Sequence, residues 1–142
     1  MNNKLKIRKV LKKAKKDLMK YKSLGAPVIQ VKSNNANTPI VRIGMDWEDE
    51  ISKCMAAREV HEICHNINAD ETLLVCIVNL NRDRTSIKDK EALMIKMERS
   101  DGIQRVAVPF KRNPNGNISF GKERWSYRTV KNPNSPFEGF IQ

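Results

Sequence analysis

The sequence predicts an α+β domain, two helices packed on an antiparallel sheet of about four to six strands, occupying all of residues 1–142. Two stretches space their apolar residues three and four apart, as helices do, while most of the remainder falls into short alternating runs. Turn signals separate those runs, and the strongest is Asp101-Gly102 between two alternating segments.

The first helix is predicted within residues 1–24. Ile7, Val10, Leu11, Ala14, Leu18 and Tyr21 form one apolar side, lysines cover the rest, and Gly25-Ala26-Pro27 stops it. Pro27 to Lys32 and Ile40 to Ile43 read as a strand pair around an Asn-rich loop. A central helix follows, with Asp46 as the expected N-cap and Glu48, Asp49 and Glu50 where the helix dipole favours anions. Trp47, Ile51, Cys54 and Met55 make an apolar stripe over its first half, expected to be buried. Over the second half the stripe moves to Ala56, Val60, Ile63, Cys64 and Ile67.

Asn68-Ala69-Asp70 ends that helix. Glu71 to Asn81 is the longest apolar strand, read as buried on both faces, and Arg82 to Lys90 is a charged connection. Ala92 to Arg99 and Ile103 to Lys111 form a hairpin. Beyond the Asn113 to Asn117 turn, Ile118 to Phe120 and Trp125 to Val130 extend the sheet, and residues 131–142, rich in Pro and Asn, form an irregular tail. Lys111-Arg112 and residues 122–128 interleave basic and aromatic residues as single-strand nucleic-acid surfaces do. The alternation of Trp125 with Tyr127 favours instead an edge strand packed on the core.

The formal net charge of +11 is concentrated in one place. Residues 1–23 carry ten Lys or Arg against the single acid Asp17, a net +9, whereas residues 24–142 carry seventeen against fifteen, a net +2. Such a block points to an anionic partner, either nucleic acid or the acidic surface of a host nuclease complex, with Lys9, Lys12, Lys13, Lys16 and Lys20 as the contact residues. The alternative is a solvated lysine face on a docked helix. A membrane surface fits less well, because the apolar side of this helix has no Trp or Phe to anchor it.

No apolar run reaches membrane-span length and the N-terminus has no export-type hydrophobic region, so the sequence predicts an intracellular, cytoplasmic protein. Three cysteines, two in a helix and one in a strand, read as reduced thiols or metal ligands. The bias to Lys, Asn and Ile suits an AT-rich bacterial or phage genome. Phosphate-binding Gly-rich loops, G-x-S-x-G elbows and Cys-x-x-Cys pairs are all missing from the sequence.

The central helix holds both histidines in His61-Glu62-Ile63-Cys64-His65, an H-E-x-x-H spacing. Residues four apart share a helix face, so His61 and His65 can offer two imidazoles to one ion, zinc by ligand type. Two metal chemistries follow. A closed site would add Cys64 from the same helix and Cys76 from the next strand, with Asp70 and Glu71 as further oxygen donors. An open site would leave Glu62 as the base for a metal-bound water. A plain histidine pair without an ion is the third reading.

These five residues resemble the zinc metalloprotease signature, which implies a hydrolase with a third ligand further on, where Glu91 and Glu98 lie. The charged Arg58 and Glu59 before the motif, and the strands around Glu91 and Glu98, depart from that family's pattern. In overall make-up the chain resembles the small phage-encoded anti-CRISPR proteins that act on type II effector nucleases. That resemblance implies a non-enzymatic inhibitor blocking the place of guide or target nucleic acid, with a metal holding the fold.

Overall fold

The computed structural model describes residues 3–35, 37, 40–45, 49–79, 91–132 and 135–141, and among them it shows two helices and a seven-stranded antiparallel sheet. The elements are α1 (Asn3–Tyr21), β1 (Val28–Lys32), β2 (Ile40–Gly44), α2 (Glu50–Asn66), β3 (Glu71–Asn79), β4 (Glu91–Arg99), β5 (Gly102–Arg112), β6 (Ile118–Phe120) and β7 (Arg124–Arg128). Strands run in the order β2-β1-β3-β4-β5-β6, and β7 pairs β5 beside β6. β6 takes Phe110–Arg112 of β5 and β7 takes Ile103–Ala107, so two short strands share one edge. That sharing raises the strand number to seven. The charged connection expected over 82–90 lies outside the described residues.

The central strands of the sheet are covered on both faces, because they are apolar on both. Along β3, Leu73, Val75 and Ile77 belong to one core cluster and Leu74, Cys76 and Val78 to the other. Pleating sends successive side chains to opposite faces, so a run with no polar alternation can only be central. On the front face Ile7, Leu11, Ala14 and Leu18 of α1 meet Leu93, Ile95, Met97, Val106, Val108 and Phe110. On the back face Ala57, Val60 and Cys64 of α2 are buried, the latter two against Ile29, Val31, Leu74, Phe140 and Ile141.

α2 begins later than its sequence predicts. Asp49 is the N-cap, its Oδ1 accepting from the Ser52 N–H at 2.7 Å, and Asp46, Trp47 and Glu48 lie outside the described residues. That bond holds the Asp49 carboxyl below its ordinary pKa. The stripe expected to be buried in the first half is exposed: Ile51 is 75% and Met55 67% accessible, and Cys54 is exposed. The later stripe is the one that docks, through Val60 and Cys64, and Ala57 extends it towards the helix start.

The β4–β5 hairpin turns at Ser100–Asp101. Gly102 has φ +150°, and a Cβ there would stand 2.6 Å from the Arg128 carbonyl oxygen. Close approach of β7 therefore demands glycine at this position.

Candidate functional site

α1 carries the charge block, and its docking sorts the cations into two groups. At about 100° per residue, Lys9, Lys12, Lys13, Lys16 and Lys20 fall within an arc of about 100° directly opposite Ile7, Leu11, Ala14 and Leu18. All five are exposed, and from Lys9 to Lys20 the arc runs about 16 Å at roughly 1.5 Å per residue. Among the described residues none of the five has a carboxylate partner, although the Lys20 ammonium lies 5.2 Å from the Tyr21 ring centroid.

The flanking cations are engaged with the body. Lys6 pairs with Glu71, which also receives Arg99. Arg8 and Lys15 lie 3.5 and 3.7 Å from Glu123. Arg8 and Lys4 stand over Trp125, at 4.9 and 5.6 Å from its centroid. Trp125 packs on the α1 cluster and donates its indole N–H to Glu123 at 3.0 Å. It is therefore a core-edge residue whose face is already occupied by helix cations. Tyr127, on the same face, is half exposed and donates to the Asp101 carbonyl.

The H-E-x-x-H segment lies in the last turns of α2. His65 is exposed, and Glu62 is exposed on an open groove lined by Gly44, Ser52, Met55, Ala56 and Glu59. The His61 Nε2 lies 3.1 Å from the Pro136 carbonyl, and its ring stands 4.3 Å from that of Phe140. Cys64 and Cys76 are buried together in the back cluster. Burial, reinforced by Glu98, pushes the Cys64 thiol up to about 12, and burial against a smaller opposing effect of Lys96 does the same for Cys76.

The oxygen donors named with them are committed elsewhere. Asp70 accepts from the Asn34 N–H at 2.7 Å, Glu71 lies on the front face with Lys6 and Arg99, and Glu91 pairs with Arg112 at 2.7 Å. Among the described residues no group of three or more His, Cys, Asp or Glu side chains is placed to hold a metal ion.

What the back face does hold is the C-terminal segment 131–141, which has no helix or strand among its described residues yet is anchored by side chains at several points. Glu98, 1% exposed, accepts from the Gly139 and Ile141 N–H groups at 2.8 and 2.6 Å and from Lys131 at 3.3 Å. Lys96 donates to the Phe137 carbonyl at 2.9 Å, Arg128 pairs with Glu138, and Lys131 also reaches the Ile141 carbonyl. Burial lowers the Lys96 pKa against the opposing pull of Glu138 and Glu98. Phe140 and Ile141 then complete the α2 core. The sequence predicts only an irregular tail here, and the signal for its anchoring lies in β4, where Lys96 and Glu98 follow the apolar residues 92–95 and flank Met97, and buried charges there need partners.

No helix among the described residues is long and apolar enough to cross a membrane. Comparison of the chain with models of protein families, with curated proteins and with solved structures found no match to any of the three.

Proposed function

We propose that the protein is a non-enzymatic intracellular binding protein that holds the phosphate backbone of a nucleic acid on the outer face of α1. The observation that supports this most is the sorting of α1. Its apolar side is spent on the sheet and its flanking cations on Glu71, Glu123 and Trp125, while Lys9, Lys12, Lys13, Lys16 and Lys20 stay exposed together on one arc. Five lysines without carboxylate partners among the described residues repel one another, and a polyanion that neutralises them releases its counterions. Three free cysteines suit a reducing compartment.

The test is fluorescence anisotropy of a labelled oligonucleotide over a range of salt. Five contacts predict a log–log slope of about −3.5 on a single strand and about −4.5 on a duplex. Changing all five lysines to Gln, on an exposed face that leaves the fold untouched, removes that share of the salt dependence. Binding unaltered by the substitutions overturns the reading. The narrower proposal, drawn from the anti-CRISPR resemblance, is that the nucleic acid belongs to a type II effector nuclease complex. The same two proteins added to such a nuclease decide it: cleavage blocked by the wild type alone supports it, and unaffected cleavage excludes it.

A further inference from the structure

The back face of the sheet is covered unevenly. The register sets its residues in rows across β3, β4, β5 and β7: Thr72-Glu98-Ile103-Arg128, then Leu74-Lys96-Arg105-Ser126, then Cys76-Met94-Ala107-Arg124. The strap closes the first row, where Glu98 and Arg128 hold it, and reaches Lys96 in the second. α2 covers the β1–β3 side. Past these, no described element packs on the back of β5, β6 and β7, and Arg105, Lys111, Ser119, Arg124 and Ser126 are exposed there.

This open area is basic. Arg105 and Arg124 are diagonal neighbours on paired strands, about 7–8 Å apart by that geometry. Lys111 lies on the same face of β5, about 20 Å from Arg105 at roughly 3.4 Å per residue. Among the described residues no carboxylate pairs with any of the three, since Glu98 is enclosed by the strap and Glu138 is taken by Arg128. Between and beside the cations stand Ala107, Pro109, Ser119 and Ser126, and the two serines carry hydroxyls able to donate to phosphate oxygens.

We propose that the open back of β5–β7 is a second phosphate-backbone surface. This rests on the reading of the protein as a nucleic-acid binder and adds to it a second, independent contact. Two neighbouring guanidinium forks suit phosphate diesters, which they grip through paired N–H donors. The aromatic residues of these strands, Phe110, Phe120, Trp125 and Tyr127, all belong to the opposite face, so bases find no stacking platform here. Contact on this surface is accordingly independent of base sequence.

The experiment compares wild type, R105Q/K111Q/R124Q and the five-lysine Gln variant on a 30-nucleotide single strand and a 30-base-pair duplex, with polyglutamate as a competitor. The triple variant is expected to bind more weakly at low salt and to lose about 2 from the single-strand slope, three contacts at about 0.7 each. The five-lysine variant keeps that part. Wild-type affinity in the triple variant, alongside weak binding by the five-lysine variant, overturns the second surface and leaves the α1 reading intact. The reverse pattern overturns the α1 reading and leaves the back surface as the site. No binding by wild type sinks both. Displacement from wild type by polyglutamate as effective as by unlabelled nucleic acid overturns the phosphate assignment in favour of an acidic protein partner. The larger loss on single strand or on duplex identifies which form the surface holds.

Discussion

Glu98 shows what one buried charge does in this molecule. Its carboxylate takes two backbone N–H groups and an ammonium at once, with essentially no exposure to water. Such a group is costly to desolvate and is tolerated only because each oxygen has partners. Removing it leaves the Gly139 and Ile141 amides without their acceptor and Lys131 with the Ile141 carbonyl in its place. Glu98→Ala is therefore expected to destabilise the fold by about 3–5 kcal/mol, whereas Glu98→Gln, which retains one acceptor oxygen, costs about half as much. Urea unfolding of the two variants measures this, with amide exchange at Gly139 and Ile141 as the local readout. An unchanged midpoint in Glu98→Ala, or exchange at those amides as slow as in wild type, would show that the strap is held by Phe140 and Ile141 alone.

The elements were legible from their patterns to different depths, and helix ends show why. α2 stops at a residue the rules would choose: Asn68 adopts φ 49°, a left-handed conformation that Asn tolerates. The sequence predicts α1 within residues 1–24, yet it ends at Tyr21 with Lys22 at φ 62°, its N–H donating to the Leu18 carbonyl at 2.9 Å. The cause is tertiary: Arg112 of β5 donates to the Lys22 carbonyl at 2.6 Å and pins the chain there, which local sequence cannot reveal. The same limit applies to α2, where a stripe of Ile51, Cys54 and Met55 reads as a buried face until the sheet is seen to meet Ala57, Val60 and Cys64 instead. Strand positions were recovered well, because alternation and Asp-Gly turns are local signals. Of the candidate site, the lysine arc was legible since helix periodicity places it, while Arg105 and Arg124 became neighbours only through register. Since Lys22 has a Cβ in a conformation costing an L-residue about 1–2 kcal/mol, Lys22→Gly is expected to raise stability by about 1 kcal/mol, read as a higher urea midpoint. A lower midpoint would mean that the lysine side chain itself stabilises the end of α1.

At the scale of the whole molecule, buried titrating groups on both faces of the sheet set a window of pH in which the fold is most stable. Burial pushes Glu71 and Glu138 upward, but Lys6 and Arg99 for the first, and Arg128, the Asn132 N–H and Lys96 for the second, outweigh it and hold both below the ordinary 4.5. As pH falls through 4.5 the unfolded chain takes up protons before the folded one, so stability declines towards acid. On the alkaline side the thiols act with the opposite sign. Cys64 and Cys76 ionise near 9.0 in the unfolded chain and at about 12 when buried, so the stability they carry is complete below pH 9 and is lost as pH rises from 9 towards 12. Lys96, lowered from 10.5, opposes this limb, because between its folded value and 10.5 the unfolded chain holds more protons and stability rises with pH. Two thiols raised from 9.0 to about 12 outweigh the one lysine, and the midpoint is expected to hold between about pH 5 and 9 and to fall on either side. Urea titrations from pH 3 to 11 test this directly. Replacing Cys64 and Cys76 by Ala should lower the plateau and flatten the alkaline limb, and Glu71→Gln should make the acid limb shallower. A midpoint that stays level from pH 9 to 11 in the wild type would show that the two thiols meet water readily, and that the back core beneath α2 and the strap opens far below the global unfolding free energy.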